Sequence, residues 1–387
     1  MSAILTLNAG SSSIKYSVYL TGEGEPREIA VGQIDGIGPE AVLILRHDGK
    51  RTVTPLGEAD HRAGLRAVLG ALKPVLGDRK VAGVGHRVVH GGTQYAAPIL
   101  LDDGILRNLE KLSPLAPLHQ PHNIAAIRAA MEAFPLAIQV GCFDTGFHRG
   151  HPFVHDTYGL PREYYLQGVR RYGFHGLSYD YVSGHVEQAF PDLKGARLVI
   201  AHLGNGASMC AVRGRQSIAC TLGFSAVDGL PMGTRCGQLD PGVVLYLMEQ
   251  GLSRQEISDM LFRKSGLLGM SGISNDMRTL LETDAAQTAE AAEAVEYFIA
   301  RVKAEIGSLA VANGGIDALV FTGGIGENAW QIRRQVCRDM GFLGISIDED
   351  ANRSNAEIIG TGPVQVLVVR TDEERVIARA VASLLGA

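Results

Sequence analysis

The sequence predicts an α/β protein made of two domains of similar design with a cleft between them. Strand-like and helix-like segments alternate along the chain, which is typical of sheets covered by helices. The 387 residues suffice for two domains of roughly 100–200 residues each. Residues 4–20 and 196–213 share the order strand, Gly/Asn/Ser turn, strand, which suggests an internal repeat. Two unrelated hairpins are the alternative interpretation of this pattern.

Composition excludes several classes of protein. The net charge of −5 and the pI of about 6.2 argue against a general nucleic-acid or membrane surface. No apolar run approaches the ~18 residues of a membrane helix, and no basic flank of a signal peptide opens the sequence. The five cysteines are an odd number without a CxxC pair, which favours a reducing cytoplasm over a disulfide scaffold. We therefore expect a cytoplasmic protein that binds neither nucleic acid nor membrane.

Hydrophobic runs and turn residues predict the elements in chain order. In the first half we expect strands at 4–7, 14–20, 81–89 and 137–143 and a helix near 123–132. Asp240 and Pro241 form a typical helix start. A long amphipathic helix ends at Gly314, a strand follows at 318–322, and GGIGEN is predicted to be a loop. A helix then runs through Arg338 and is ended by Gly341.

Glycine-rich turns are the candidates for holding phosphate, since the Walker pattern GxxxxGK[ST] is absent from the sequence. The first turn, NAGSSS, offers serine hydroxyls and is followed by Lys15. The matching turn, HLGNG, could hold another part of the same polyphosphate. GGIGENA fits the loose dinucleotide pattern after a strand, but too little chain follows for a Rossmann sheet. We expect it to receive an adenosine portion at a helix start, with a plain tight turn as the alternative.

Nine motifs, spread over most of the chain, together carry a specific resemblance. They are LNAGSSSIKY, GHRVVHGG, PLAPLH, FDTGFH, RRYGFHG, AHLGNGAS, MGTRCGQLDP, SGLLGMSGISNDMR and FTGGIGEN, and TDEERVIAR extends the match. With these motifs in this order, the sequence resembles the acetokinase family of the sugar kinase–Hsp70–actin superfamily.

The resemblance implies a fold and an activity. The fold would be two duplicated actin/Hsp70/sugar-kinase-like (ribonuclease H-like) domains with an interdomain cleft. The first would comprise residues 1–147 plus about 371–387, and the second, residues 148–370, would bind the nucleotide and form the contact of a homodimer. The activity would be direct, in-line and reversible phosphoryl transfer from ATP to acetate, giving ADP and acetyl phosphate, with Mg²⁺ as cofactor and Mn²⁺ able to substitute.

The resemblance also implies roles for the charged residues. Arg87 and Arg235 would hold the acetate carboxylate and the transferring phosphoryl group, and His175 would donate a hydrogen bond to that group. The acceptor is already ionised, so we expect Asp144 to orient Arg87 or the metal shell, with an aspartyl-phosphate intermediate as the alternative. Asn8 and Glu373 would flank the metal ion.

The remaining implied positions surround the two substrates. Glu374 should point away from the metal if its segment is extended. Nucleotide positions are Lys15, His202, Leu203, Gly204, Asn205, Gly206, Asp276, Met277, Arg278, Gly324, Ile325, Gly326, Glu327 and Asn328. The pocket for the acetate methyl would be lined by Val89, Leu118, Phe174 and Ala226, beside Arg87. His119 would also reach the phosphate site.

Two departures and two other classes of function keep alternatives open. Ala226 stands where the family usually has proline, so we expect easier acceptance of propionate; a propionate kinase or a broad short-chain carboxylate kinase is the near alternative. A dinucleotide-binding oxidoreductase built on GGIGENA would leave Arg87, His175 and Arg235 unexplained. A non-catalytic nucleotide-dependent binding protein would bind ATP without acetate-dependent turnover. Met277, where the family usually has phenylalanine, could tune nucleotide affinity.

Overall fold

The computed structural model describes residues 2–10, 13–22, 24–117, 119–282 and 288–386. It divides into two compact units. Unit 1 comprises Met1–Arg149 and Asp372–Ala387, and unit 2 comprises Gly150–Thr371. In unit 1 the chain is therefore discontinuous, because the whole of unit 2 is inserted between its last strand and its last helix.

The strands are β1 (Ala3–Ala9), β2 (Ser13–Leu20), β3 (Arg27–Asp35), β4 (Gly38–His47), β5 (Lys50–Ala59), β6 (Val81–Val88), β7 (Ile99–Leu100), β8 (Ile138–Phe143), β9 (Arg197–Leu203), β10 (Ala207–Arg213), β11 (Gln216–Cys220), β12 (Ala318–Thr322) and β13 (Gln365–Val368). The helices are α1 (His61–Leu76), α2 (Asp103–Glu110), α3 (Gln120–Ala133), α4 (Phe153–Asp156), α5 (Arg162–Leu166), α6 (Gly176–Ala189), α7 (Pro241–Glu249), α8 (Arg254–Arg263), α9 (Gly266–Ser271), α10 (Met277–Glu282), α11 (Ala289–Ala312), α12 (Gly323–Asn328), α13 (Trp330–Cys337), α14 (Glu349–Arg353) and α15 (Glu373–Leu385). Within the described ranges, no helix is both long enough and apolar enough to cross a membrane.

Both units contain a sheet with the same five-strand plan. In the described part of unit 1 the order is β3-β2-β1-β6-β8, with β3-β2-β1 antiparallel and β1-β6-β8 parallel. In unit 2 it is β11-β10-β9-β12-β13, with the same pattern of directions. The first sheet continues through β4 and β5 at one edge and β7 at the other. The predicted α/β class and its repeated plan are thus confirmed.

The core of unit 1 lies between its sheet and the helices α1 and α3. Asp60 caps α1 by accepting a hydrogen bond from the Ala63 N–H, which fixes the start of the helix. The buried face of α1, including Val68 and Leu72, packs in one cluster with Ile14 and other strand residues. Burial of this kind stabilises the fold by about 1.5–3 kcal/mol per large side chain.

Helix α15 packs against β6 of unit 1, where two glycines leave room for it. A Cβ atom at Gly83 would collide with Val381, and one at Gly85 would collide with Ile377. Ile377 and Val381 are fully buried. The helix therefore completes the core of unit 1 at its central parallel strand.

Two local predictions were wrong. Residues 323–328 form α12 rather than a loop, because the Glu327 carboxylate accepts the Gly323 N–H at 3.0 Å and stabilises a helical turn directly after β12. Glu373 and Glu374 open α15 rather than lying in an extended segment. Asp372 caps that helix by accepting the Arg375 N–H at 2.9 Å.

Candidate active site

Arg87 and Asp144 form the centre of the charged cluster in unit 1. Arg87 lies near the end of β6 and Asp144 directly follows β8, so neighbouring parallel strands bring the two side chains together. Arg87 Nη2 donates to Asp144 Oδ2 at 2.6 Å, and Nε donates to Oδ1 at 3.0 Å and to Oδ2 at 3.1 Å. The Asp144 side chain is 2% exposed. Its carboxylate therefore fixes the plane of the guanidinium.

Asn8 and Glu373 also contact Arg87. Arg87 Nη1 donates to Asn8 Oδ1 at 3.3 Å, and Arg87 Nε lies 3.6 Å from Glu373 Oε2. Asn8 is on β1, which pairs with β6, and Glu373 is the first residue of α15. The structure thus brings four of the residues implied by the family motifs into one cluster.

The cluster carries more negative than positive charge. Burial alone would lower the pKa of Arg87, but the carboxylates of Asp144, Glu373 and Glu374 raise it above the ordinary arginine value. Arg87 therefore stays charged at any pH at which the fold persists. Three carboxylates around one guanidinium leave the site attractive to a second cation.

The oxygen donors Asn8 and Glu373 suit a hard cation such as Mg²⁺. No group of three or more His, Cys, Asp or Glu residues that could hold a metal ion occurs within the described ranges. Mg²⁺ does not need one, because it usually keeps several waters and takes only one or two carboxylates together with substrate phosphates. Both donors approach the same guanidinium, so the residues present fit this kind of site.

Lys15 and Glu374 lie on a separate cavity of unit 1. This cavity, of about 340 Å³, is also lined by Glu28 and Asp372. Burial, and then the neighbouring Glu373 charge, raises the pKa of Glu374, which Lys15 partly offsets. Glu374 thus faces this second cavity, and Lys15, although predicted to bind nucleotide, lies on it as well.

Unit 2 contains a cavity of about 560 Å³ built from three separate motifs. Ligand pockets usually measure about 300–1,000 Å³. Eight of the implied nucleotide positions line it: Gly204, Asn205, Asp276, Met277, Arg278, Gly324, Ile325 and Asn328. The turn after β9, the start of α10 and the start of α12 therefore meet at one place.

Three other implied nucleotide positions contact the backbone near this cavity instead of lining it. The Glu327 carboxylate accepts the N–H groups of Gly323 and Thr371 at 3.0 and 3.2 Å, so it holds two chain segments together. Leu203 is fully buried, and its carbonyl lies so close to Gly323 that position 323 has no room for a side chain. Gly326 packs near Phe321, where an added Cβ would lie 3.4 Å from the Phe321 carbonyl carbon.

His175 is held by a chain of buried hydroxyl groups in unit 2. Its Nδ1 lies 2.8 Å from Ser208 Oγ, and Tyr179 Oη lies 2.5 Å from the same oxygen. Its Nε2 faces Gly206, where an added Cβ would lie 3.5 Å away. His175 adopts a left-handed backbone conformation, with φ of 58°, which is uncommon for a residue other than glycine and often marks a functional position.

His202 supports His175 from the side. The two rings stack with centroids 4.3 Å apart, and His202 Nδ1 lies 2.8 Å from Ser178 Oγ. His202, which was predicted to contact the nucleotide, thus packs beside the imidazole of His175. Burial raises the pKa of Tyr179 well above that of a free tyrosine, so the Tyr179 hydroxyl keeps its proton.

Arg235 is a largely buried cation of unit 2. Its Nη1 donates to the Ala226 carbonyl at 3.0 Å and lies 3.6 Å from Met232 Sδ, and neither partner is charged. Burial lowers its pKa. A guanidinium with uncharged partners is predisposed to bind an anion, because an anion would compensate its buried charge.

The predicted residues of the acetate pocket fall in both units. Val89 is buried in unit 1, and its N–H donates to Asn123 Oδ1 at 3.0 Å. Phe174 is buried in unit 2, and Ala226 of the same unit accepts a hydrogen bond from Arg235 through its carbonyl at 3.0 Å. Leu118, together with Ser11 and Ser12 of the predicted phosphate turn, lies outside the described residues. His119 precedes the first turn of α3.

Sequence reasoning missed Ser208 and Tyr179. Ser208 is the last residue of AHLGNGAS, which was assigned as a nucleotide motif, and Tyr179 lies four residues after His175 on α6. That i, i+4 spacing places Tyr179 one helical turn from His175. It was the available signal that the tyrosine supports the histidine.

Comparison with known proteins gives one consistent result. The profile of the Acetokinase family matches residues 3–379. An acetate kinase of Methylocella silvestris is 50% identical, covering 99% of this chain and 98% of that protein. The structure of a propionate kinase from Francisella tularensis is 35% identical with a TM-score of 0.93, covering 98% and 99% of the two chains. That of Porphyromonas gingivalis acetate kinase is 37% identical with a TM-score of 0.89, covering 100% of each chain.

Proposed function

The chain belongs to the acetokinase family, and on that premise we propose that it transfers the γ-phosphoryl group of ATP to acetate, giving ADP and acetyl phosphate. The reaction is reversible. The observation that carries this proposal is the cavity of unit 2, where eight motif residues from three distant segments meet. Its size and its glycine-rich, helix-terminal lining suit a nucleotide.

Arg87 and Arg235 would overcome the main obstacle to the reaction, which is electrostatic. An acetate anion must approach a negatively charged phosphate, and each pair of unit charges at ~4 Å repels by roughly 4 kcal/mol at an effective dielectric near 20. Both guanidinium groups are largely buried. We propose that Arg87 binds the carboxylate and that Arg235 stabilises the phosphoryl oxygens, since phosphoryl transfer relies chiefly on positioning and charge stabilisation.

Asp144 would act through Arg87 rather than as a base or a nucleophile. Acetate is ionised at neutral pH, so no proton has to be removed. Both oxygens of the Asp144 carboxylate accept hydrogen bonds from Arg87, and its side chain is almost completely buried. A buried carboxylate whose two oxygens both accept hydrogen bonds from an arginine is poorly placed to attack a phosphoryl group. We therefore propose direct transfer without an aspartyl-phosphate intermediate.

His175 would donate a hydrogen bond from Nε2 to the transferring phosphoryl group. We propose that the Tyr179 hydroxyl, which keeps its proton, donates to Ser208 Oγ and that Ser208 in turn donates to His175 Nδ1. With Nδ1 as acceptor, the neutral imidazole carries its proton on Nε2. That nitrogen faces the turn containing Gly206, next to the nucleotide cavity.

Asn8 and Glu373 would hold Mg²⁺, with Mn²⁺ able to substitute. When bound, the ion supplies positive charge that neutralises the ATP phosphates. The chain's own part is to present two oxygen donors beside Arg87 and an excess of carboxylate charge.

Propionate is the second candidate acceptor. Ala226 lies at the position where a proline is usual, and its carbonyl orients Arg235. A chain of 35% identity with nearly the same fold is a propionate kinase. One methylene changes discrimination by only ~1–3 kcal/mol. We propose that acetate is preferred and that propionate is also accepted.

We further propose that the two compact units correspond to the two acetokinase domains and that unit 2 forms a homodimer. Helix α7 has no buried residue although its sequence, PGVVLYLME, is almost entirely apolar. Leu245 and Tyr246 are 61% and 57% exposed. A helix that is apolar on all sides normally lies in an interior, and a second copy of this chain would supply one. The cysteine usage favours a cytoplasmic location.

The test of function measures ADP formation from Mg-ATP with acetate, propionate, butyrate or no acceptor, with hydroxylamine to trap the acyl phosphate. Acetate-dependent acyl hydroxamate is the expected result. If ATP binds but no acid gives an acyl phosphate, the chain is a nucleotide-dependent binding protein instead. If a nicotinamide dinucleotide binds in preference to ATP, the oxidoreductase alternative is correct.

A further inference from the structure

Cys210 and Cys220 lie directly opposite each other on the antiparallel strands β10 and β11 of unit 2. Next to them along the strands lie Met209 and Thr221. The Thr221 N–H donates to the Met209 carbonyl at 3.0 Å, so Met209 and Thr221 are a hydrogen-bonded pair. Cys210 and Cys220 are therefore a non-hydrogen-bonded pair, in which Cα atoms are usually about 4.5 Å apart. Disulfides need Cα separations of about 4.4–6.8 Å. The strands thus already hold the two thiols in a geometry that a disulfide can use.

The two thiols differ in reactivity. Cys220 is partly exposed, whereas Cys210 is fully buried with its Sγ 3.2 Å from Ser217 Oγ. Burial alone would raise the pKa of Cys220, but hydrogen bonds from the Cys210 thiol and from two backbone N–H groups, together with the charge of Arg171, hold it below its ordinary value. Burial raises the pKa of Cys210. Cys220 is thus the nucleophile of the pair, because the thiolate is the reactive form.

The pair is linked to the support of His175 by two routes. The backbone of Phe174, the residue directly before His175, is close enough to Cys220 to be among the groups that lower its pKa. Along β10, Cys210 lies two residues after Ser208, so both side chains are on the same face of the sheet. A covalent change at the pair therefore alters the contacts of both the Phe174 backbone and the strand that carries Ser208.

We propose that Cys210 and Cys220 form a reversible oxidation site for small hydroperoxides, and that its disulfide form lowers catalysis by displacing His175. The Cys220 thiolate attacks the peroxide oxygen, the O–O bond breaks, and the alcohol or water leaves, giving a sulfenic acid. The Cys210 thiol then attacks the Cys220 sulfur and releases water as the S–S bond forms. Overall two thiols lose two electrons and two protons to one peroxide, and a dithiol reverses the change by exchange.

A reducing compartment does not oppose this role. Cytosolic disulfides are usually transient and catalytic or redox-sensing, so the pair rests as two thiols. All five cysteines of the described chain are free thiols. The oxidation part of the proposal is independent of the proposed function, and only its effect on the rate depends on it.

The closing experiment treats the full-length protein with hydrogen peroxide, quenches it by alkylation, and maps peptides without reduction. We expect loss of two of the five thiols and one cross-linked peptide pair containing Cys210 and Cys220. Cys220→Ser should abolish the cross-link. Cys337→Ser is the matched control and should leave it unchanged, because Cys337 is a buried thiol of the same unit whose burial raises its pKa to about 12.

In parallel, the rate of acyl hydroxamate formation is followed before and after oxidation. It should fall at least tenfold in the wild type, return with dithiothreitol, and stay constant in Cys220→Ser. Retention of both thiols, or a sulfinic acid on Cys220 without a link to Cys210, overturns the site. A disulfide that leaves the rate unchanged overturns the coupling to His175. Absence of activity in the reduced protein instead refutes the proposed function, and peptide mapping still decides the site.

Discussion

The carboxylate of Asp144 accepts hydrogen bonds from both Nε and Nη2 of Arg87, at 2.6–3.1 Å. Nη1 of Arg87 instead donates to the Asn8 amide oxygen at 3.3 Å, so under the proposed function it is the guanidinium nitrogen best placed to engage an incoming carboxylate. Asp144 would then orient one edge of the guanidinium and the other edge would bind acetate. The first prediction follows directly from this division.

Replacement Asp144→Asn should lower acetate-dependent kcat by about 10²–10³, the usual effect of removing one preorganised electrostatic contact. The asparagine keeps the shape of the side chain, but its single amide oxygen cannot replace both carboxylate oxygens as acceptors for Arg87. It also carries no negative charge to balance the Arg87 guanidinium. Rates are measured by hydroxamate trapping, alongside a thermal melt, since breaking a buried ion pair costs about 3–5 kcal/mol.

Asp103→Asn is the control for that variant, because Asp103 forms a solvent-exposed pair with Arg128 and surface pairs contribute little. Its kcat and melting temperature should match those of the wild type. Acid-quenched wild-type enzyme, mixed with labelled ATP in the absence of acetate, should hold no protein-bound phosphate. A phosphoenzyme that disappears in Asp144→Asn would establish the aspartyl-phosphate route instead.

Ser208→Ala and Tyr179→Phe should lower kcat while leaving KM for ATP unchanged. Each variant breaks the hydroxyl chain that fixes the tautomer of His175. Loss of a buried hydrogen bond costs about 1–3 kcal/mol, which corresponds to about 5–150-fold in rate. Ser183→Ala is the matched control, since Ser183 is a buried serine on the helix that carries Tyr179 and its hydroxyl donates to the Asp180 carbonyl. An equal loss of kcat in the control would assign the effect to helix packing.

Ala226→Pro should reduce kcat/KM for propionate relative to acetate by about tenfold, the lower end of what one methylene discriminates. Proline keeps the carbonyl that orients Arg235 but adds bulk and stiffens the segment. Ala226→Gly should preserve the wild-type ratio. The pocket argument is wrong if wild type and Ala226→Pro both strongly reject propionate.

His86 should make the free energy of unfolding depend on pH. Burial, partly opposed by the hydrogen bond to Gln139, lowers its pKa to about 4, whereas the unfolded value is about 6.5. Between these values the unfolded chain takes up a proton that the native state does not. As far as His86 is concerned, the free energy of unfolding is therefore highest above pH ~6.5, and it falls by up to about 3 kcal/mol as the pH drops towards 4.

The measurement is urea unfolding at a series of pH values from neutral to 4. In His86→Gln the fall over this window should be smaller than in the wild type, whatever the variant's stability at neutral pH. His185→Gln provides the comparison. His185 is a partly exposed residue of unit 2, and its partner Glu357 lies in the same unit. Parallel curves for wild type and His86→Gln would contradict the assignment.

Leu245→Glu should convert the protein to a monomer, because a buried carboxylate in the proposed α7 interface would lack a partner. Light scattering on a size-exclusion column gives the mass directly. Leu136→Glu is the control, since Leu136 is 93% exposed and lies in unit 1. A wild-type protein that is already monomeric would remove the dimer proposal and leave the apolar α7 unexplained.

Much of the fold could be predicted from hydrophobic periodicity and turn residues, but the helix at residues 323–328 could not. GGIGEN looks like a loop because glycine disfavours helix interiors. Its helical turn depends on Glu327 binding the Gly323 and Thr371 N–H groups, a tertiary contact spanning 44 residues. At Asp372 the signal was present, since an Asp N-cap followed by glutamates is a typical helix start.

For the site, the family motifs predicted which chain segments meet at the 560 Å³ cavity of unit 2, whereas not every side chain of those motifs faces it. Gly204 and Gly324 line it, whereas Glu327 from the same motif turns to the backbone. The contact of His175 with Ser208 depends on tertiary packing and the pairing of the cysteines depends on strand register, and neither composition nor spacing contains these. Cys210 and Cys220 are ten positions apart in sequence and become neighbours only when β10 and β11 pair.

The return of α15 to unit 1 affects the order in which the two units can fold during translation. Ile377 and Val381, which fill the spaces left by Gly83 and Gly85, are made only after all of Gly150–Thr371 has been synthesised. Until then β6 exposes an uncovered apolar face, and Glu373 has not yet reached Arg87. The nascent chain is therefore expected to need chaperone protection late in translation, and unit 2 is expected to fold first although its segment follows most of unit 1.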